Sequence, residues 1–199
     1  MKLSRTQKIL AGIACLALYS IPLATINGAF DIFMKTDGSG IPDGESDGGS
    51  FPEYKGWIEI DSFSVGGSAP FAIGSIGGGG GDGKVSLTSM NVTMPVGQTS
   101  PGFFNNLTTG KFVAEIKLFM RTPNSSTEFM RIYMKNVFVE SMSWSGVAGG
   151  DDKPFQSMSL AYQAVKVEYV TFDIKTNAEI DTFSAEWDLA SNTATYPTK

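Results

Sequence analysis

The stretch GSIGGGGGDGKV (residues 74–85) carries glycine, four residues, glycine and lysine, from Gly78 through Gly83 to Lys84. That is the spacing with which a phosphate-binding loop cradles a nucleotide. Such chemistry also needs a Ser or Thr directly after the lysine to hold magnesium, and a helix whose first amides face the phosphates. Here Val85 follows Lys84, and the residues after it alternate like a strand. The segment therefore reads as a loop, and its five successive glycines, Gly77 to Gly81, make it costly in backbone entropy to order.

A second candidate lies in DGSGIPDGESDGGSFPEY. Asp43, Glu45 and Asp47, followed by Gly48, imitate the opening of a calcium-binding loop, where alternate carboxylates converge on one cation and the glycine makes the sharp turn. The closing acid should stand at position 54, which is Tyr54, with Glu53 one residue short. No helical pattern flanks the loop. The triplet is thus a partial calcium pattern within an acidic loop.

Catalysis has little to draw on. The chain has no histidine, which removes serine and cysteine triads, most zinc sites and the commonest general base. Glu59, Asp61, Glu168 and Asp173 lie on or near strands and are the residues from which a carboxylate pair for glycoside hydrolysis could come. Acids alternating along a strand are more simply its wet face. No catalytic residue and no cofactor are assigned, and an enzyme is not expected.

The elements that would position these residues are mostly strands. KFVAEIKLFMR sets Phe112, Ala114, Ile116, Leu118 and Met120 on one face against Lys111, Glu115, Lys117 and Arg121. RTPNSST supplies a turn, and EFMRIYMKNVFVESMSW returns as a long strand, so the two form a hairpin. FDIFMKTD, GWIEIDSFSV, KVSLTSMNVTM and DTFSAEWDLAS read as further strands. In QSMSLAYQAVKVEYVTFDI, Met158, Leu160, Tyr162 and Ala164 keep one phase while Val165, Val167 and Tyr169 take the other, predicting a β-bulge near Ala164 to Lys166. One helix is expected in TSPGFFNNLTTGKF, capped by Ser100, with Pro101 at the first helical position and Gly110 as a left-handed stop, laying Phe103, Phe104 and Leu107 on a barrel. The expected fold is mainly β: a single β-barrel or two-sheet sandwich with one short α-helix.

The first 29 residues stand apart. Lys2, Arg5 and Lys8 precede an uncharged run from Ile9 to Ala24, broken by Pro22. A spanning helix needs about 20 apolar residues, so residues 1–29 read as an export signal, cut near Ala29, with a retained anchor as the alternative. The globular unit is then 30–199. Loss of the leader removes Cys15, the one cysteine, and moves the formal net charge from −5 to −8 by removing three cations. That balance argues against nucleic acid or anionic lipid as partners. The membrane would be met only through an uncleaved leader.

DIFMKTDG followed by GES (Gly44 to Ser46), then KGWIEIDSFSVG, SPGFFNNLTTGKFVAEIKLFMR, EFMRIYMKNVFVESMSWSG and FQSMSLAYQAVKVEY resemble, in order and spacing, the Hcp family of bacterial type VI secretion tube proteins. The likeness runs from Phe30 to Tyr169, and EWDLASN resembles a C-terminal strand extension within 170–199. The resemblance implies a squat β-barrel with one helix that assembles into hexameric rings stacking as a hollow tube, with sheath or spike proteins and effector cargo as partners and no catalytic residues. Ordinary members have no export signal. This chain's leader implies a periplasmic, surface or extracellular location in a bacterium. Loops 36–50 and 74–83 are expected to contact stacked rings and to order on assembly. The alternative is a secreted monomeric β module that binds calcium, glycan or protein through its acidic loops.

Overall fold

The computed structural model describes residues 30–38, 40–69, 85–123, 127–149, 153–173, 175–176 and 178–197. The leader and the glycine-rich loop with its phosphate-loop spacing lie outside them. The strands are β1 (Asp31–Asp37), β2 (Ile58–Glu59), β3 (Ser62–Ser64), β4 (Gly67–Ser68), β5 (Ser86–Leu87), β6 (Met90–Pro95), β7 (Val113–Arg121), β8 (Glu128–Ser145), β9 (Phe155–Ala161), β10 (Ala164–Phe172) and β11 (Glu179–Asp188), with one helix, α1 (Ser100–Thr109). The mainly β fold with one short helix is as expected.

Two antiparallel sheets share β8. The first runs β2-β1-β7-β8-β10-β11 and the second β8-β9-β6-β3, while β4 and β5 form a separate ribbon. Hydrogen bonding does not run continuously round a cylinder. At the far corner the chain itself passes between the sheets: Ile60 N–H donates to Ile32 O at 3.0 Å on β1, and Asp61 N–H donates to Thr93 O at 2.9 Å on β6. GWIEIDSFSV, expected as one strand, is therefore two, because one segment serves both sheet edges.

Register explains the core. Across the first sheet Met34, Leu118, Ile132 and Val167 stand in one row, and Ile116, Met134, Val165 and Trp187 in another. The second sheet answers with Phe63, Val92, Met158 and Met142. All of these are buried or packed against the core. Each fully buried aliphatic or methionine side chain contributes about 1.5–3 kcal/mol.

The inward phase changes where the strands turn from one sheet into the other. On β8 it passes from Ile132 and Met134 to Val137 and Val139, and on β7 from Ile116 to Val113, so Val113 is buried and Phe112, expected inside, is exposed. On the β9–β10 segment the change predicted from the sequence is present, but the bulge at Ala164 to Lys166 is not. The offset is the same at Phe138↔Ala161 and Lys135↔Ala164, so no residue is inserted. Instead Asn136, within the continuous β8, takes a left-handed φ of 48° opposite Tyr162 and Gln163, where β9 ends and β10 begins. The irregularities lie at Val139/Ser141 on β8 and Thr171/Phe172 on β10.

Helix α1 seals one side. Phe103 is fully buried and Leu107 packs on the core, whereas Phe104 faces outward. Gly110 stops the helix at φ 66° as expected. The cap differs: Thr99 holds the N-cap position, and Ser100 is the first helical residue, its hydroxyl accepting from Gly97 N–H at 3.1 Å rather than from the first-turn amides.

Candidate functional site

The outer face of the second sheet carries two uncharged rows, with one exposed acid beside them, Glu140 at the β8 irregularity, which accepts from the Ser89 hydroxyl at 2.6 Å. Opposing residues form one row of Ser62, Thr93, Ser157 and Ser143 and another of Ser64, Asn91, Ser159 and Ser141. Two pairs of them bond each other, Thr93 with Ser157 at 3.4 Å and the Ser159 hydroxyl on Asn91 Oδ1. Alternation makes this face: every second residue points into the core as Val92, Met158 or Met142. In a chain that is 18% charged, eight hydroxyl or amide side chains stand across four strands with no ionic group in either row.

The loop between β1 and β2 covers the outer face of the first sheet. Gly44 N–H donates to Gly56 O at 2.9 Å, Ser46 N–H to Trp57 O at 3.1 Å, and Gly56 N–H to Ser46 O at 2.8 Å. Thus GES and KGW, distant in sequence, pair with each other. Gly44 is required by contact, since a Cβ there would stand 2.1 Å from Trp57 O. The loop expected to order on assembly is in this respect already held within one subunit.

The three acids of the calcium pattern have separate partners. Asp43 pairs with Lys35 at 2.5 Å, Glu45 pairs with Lys153 at 2.6 Å and accepts from Gln98 N–H at 2.8 Å, and Asp47 accepts from Gly49 N–H at 2.8 Å. The Lys153 bond, then the Gln98 amide, hold the Glu45 carboxyl below its ordinary pKa. Among the described residues no group of three or more acidic, histidine or cysteine side chains is placed to hold a metal ion.

Beneath the loop lies an aromatic and ionic cluster. Tyr54 is buried, stacks on Phe33 at 4.5 Å and donates its hydroxyl to Glu128 Oε1 at 2.5 Å. Burial first, then that carboxylate, push the Tyr54 pKa up. Arg121 is buried against the rings of Phe33, Phe51 and Tyr54 at 4.9, 4.2 and 4.9 Å, and its Nε donates to Asp31 at 3.1 Å. Arg131 binds Glu128 at 2.6 Å and lies 3.8 Å from Glu168 and 3.6 Å from Glu179, while Lys166 holds Glu168 at 2.6 Å. Burial, then Glu168, raise the Tyr133 pKa to about 12. Nothing in the spacing of these residues announces the cluster, because they come from a loop and five strands.

The acids considered for glycoside hydrolysis are dispersed. Glu168 is buried in the network above, Asp173 accepts the Lys175 and Thr176 amides of the β10–β11 turn at 2.8 Å, and Glu59 and Asp61 stand at the β2–β3 corner.

Among the described residues three pairs of exposed aromatic rings remain, one of them Phe112 with Phe138, 5.8 Å apart at the sheet corner. On α1 and the end of β8, the rings of Phe104 and Trp144 stand 5.5 Å apart and are 45% and 50% exposed. On the β10–β11 hairpin, Tyr169 and Phe183 oppose each other and are 55% and 61% exposed. No helix among the described residues is long and apolar enough to cross a membrane.

Comparison with known proteins gives one family profile, described as "Type VI secretion system effector, Hcp", which matches residues 33–169. No curated protein matches. Among solved structures, one described as a type six secretion system protein has 27% identity and a TM-score of 0.72, covering 83% of this chain and 99% of its own. Hcp1 from Salmonella typhimurium has 27% identity and a TM-score of 0.63, with 83% and 98% coverage. Hcp2 from the same organism has 25% identity and a TM-score of 0.56, with 81% and 98% coverage.

Proposed function

Since the chain belongs to the Hcp family of type VI secretion proteins, a structural component and not an enzyme, we propose that it is the self-assembling subunit of a hexameric ring that stacks into a tube. The observation that carries the reading is the pair of uncharged rows across the outer face of the second sheet. A tube wall must let unlike cargo pass without adhesion. Rows of serine, threonine and asparagine offer short polar groups and no ion to desolvate. We assign that face to the lumen, and effector proteins as the cargo.

Residues 1–29 direct export of the chain, with cleavage near Ala29, so assembly takes place outside the inner membrane. A retained leader would instead tether the ring. The glycine-rich loop at 74–83 contacts the next ring of the stack. Deleting Gly77 to Gly81 should leave single rings and abolish stacked ones in electron micrographs.

The central test is size-exclusion chromatography with light scattering on the protein purified as its host accumulates it. Six chains per particle support the reading. A single chain at every concentration removes it and favours the monomeric binding module.

A further inference from the structure

We propose that neighbouring copies join head to tail, the Phe104 and Trp144 patch of one seating on the Tyr169 and Phe183 patch of the next. This rests on the self-assembly reading above. It starts from the first sheet's inner face, where Ile32, Met120, Met130, Tyr169 and Phe183 share one row. Ile32 and Met120 are buried and Met130 is half-buried, but the row ends in the open, so the core face continues past the chain's own second layer. A sheet face of this kind needs a covering layer, and the described residues do not supply it at Tyr169 and Phe183.

The other patch has the matching character. Trp144 and the partner of Tyr169, Met130, lie on the same strand, β8, fourteen residues apart and on opposite sides of the corner at Asn136, in the parts of β8 that belong to different sheets. The patches are therefore remote and unlike, as a ring-closing contact requires; a patch that paired with itself would stop at two chains.

Charge selects the pairing. From Ala164 to Asp188 the hairpin carries Glu168, Asp173, Glu179, Asp181, Glu186 and Asp188 against Lys166 and Lys175. From Val96 to Phe112, the helix and its flanks carry Lys111 and no acid. Hairpin against hairpin would set like charges together, whereas helix against hairpin sets a weakly positive surface on a negative one.

The experiment uses Phe104→Asp and Phe183→Asp in the otherwise unchanged protein, with far-UV circular dichroism to confirm folding and light scattering to count chains. Each variant alone should be a single chain. Mixed in equal amounts they should form particles of two chains and no larger, since one intact interface remains per pair. Variants that assemble as the parent does, or a mixture that stays monomeric, overturn the proposal while leaving self-assembly standing. A parent that is itself monomeric removes the self-assembly reading and this inference with it. If an Asp variant does not fold, Phe104→Ser and Phe183→Ser test the same point.

Discussion

Asn136 Nδ2 donates to Gln163 Oε1 at 2.7 Å, at the place where β8 and the β9–β10 segment both change which side faces the core. The two residues stand opposite each other in an unbroken register, so the sheet turns its corner without an inserted residue. Asn136 manages this through a left-handed backbone, which asparagine tolerates better than a β-branched residue.

Asn136→Val should cost about 2–3 kcal/mol of unfolding free energy, from backbone strain and the lost hydrogen bond. Asn136→Gly keeps the backbone and should cost about 1 kcal/mol or less. Urea denaturation followed by tryptophan fluorescence measures both, and equal losses would show that the backbone angle is not what matters.

Phe103 and Phe104 are neighbours on α1 with opposite environments. Phe103→Ala should lose about 3–5 kcal/mol, while Phe104→Ala, half exposed, should lose less than about 1 kcal/mol in the dissociated subunit. Thermal unfolding of the two variants at a concentration where the parent is dissociated checks the orientation of the helix.

Tyr54→Phe removes the hydroxyl that Glu128 accepts and should destabilise by about 1.5–3 kcal/mol, the range for a hydrogen bond to a charged group. Gly44→Ala attacks the same loop from its other end. With its Cβ 2.1 Å from the Trp57 carbonyl oxygen, the loop must lift, at a cost of about 3 kcal/mol. Faster amide exchange at Ser46 and Gly56 in Gly44→Ala would report the lifting.

The Glu45 anchor should fail in acid. Its carboxyl pKa is lowered in the folded chain, so its contribution is complete above the ordinary carboxylate range near about pH 4.3 and is lost as the pH falls through the lowered value. The Gln98 amide resonance should titrate below the ordinary carboxylate range and stay level above it. Glu45→Gln should abolish that titration.

Much of the strand order was legible because period-two alternation states which side chains must be buried: Ile116, Leu118 and Met120 are where their spacing puts them. Alternation could not tell that Val113, rather than Phe112, enters the core, since both are apolar and the sheet corner decides between them. The acids at 43, 45 and 47 are regular in sequence yet scattered in purpose, because Lys35, Gln98 and Lys153 reach them from other parts of the fold. The uncharged rows of the second sheet were open to reading, as serines recur at alternate positions in SMSW and QSMS, but their extent needed the strand order.

By itself the sequence determined the class of this protein: a β fold with one short helix, without histidine, and carrying the motif order of a tube-forming family. The fold class follows from composition, periodicity and local turn chemistry, which act over a few residues, and the family from the resemblance of its motifs. Only the tertiary structure decided how the sheets meet at Asn136, which acids are paired, and that the core row of the first sheet runs into the open at Tyr169 and Phe183. Those are consequences of long-range register, where a side chain's environment is set by strands that are distant along the chain.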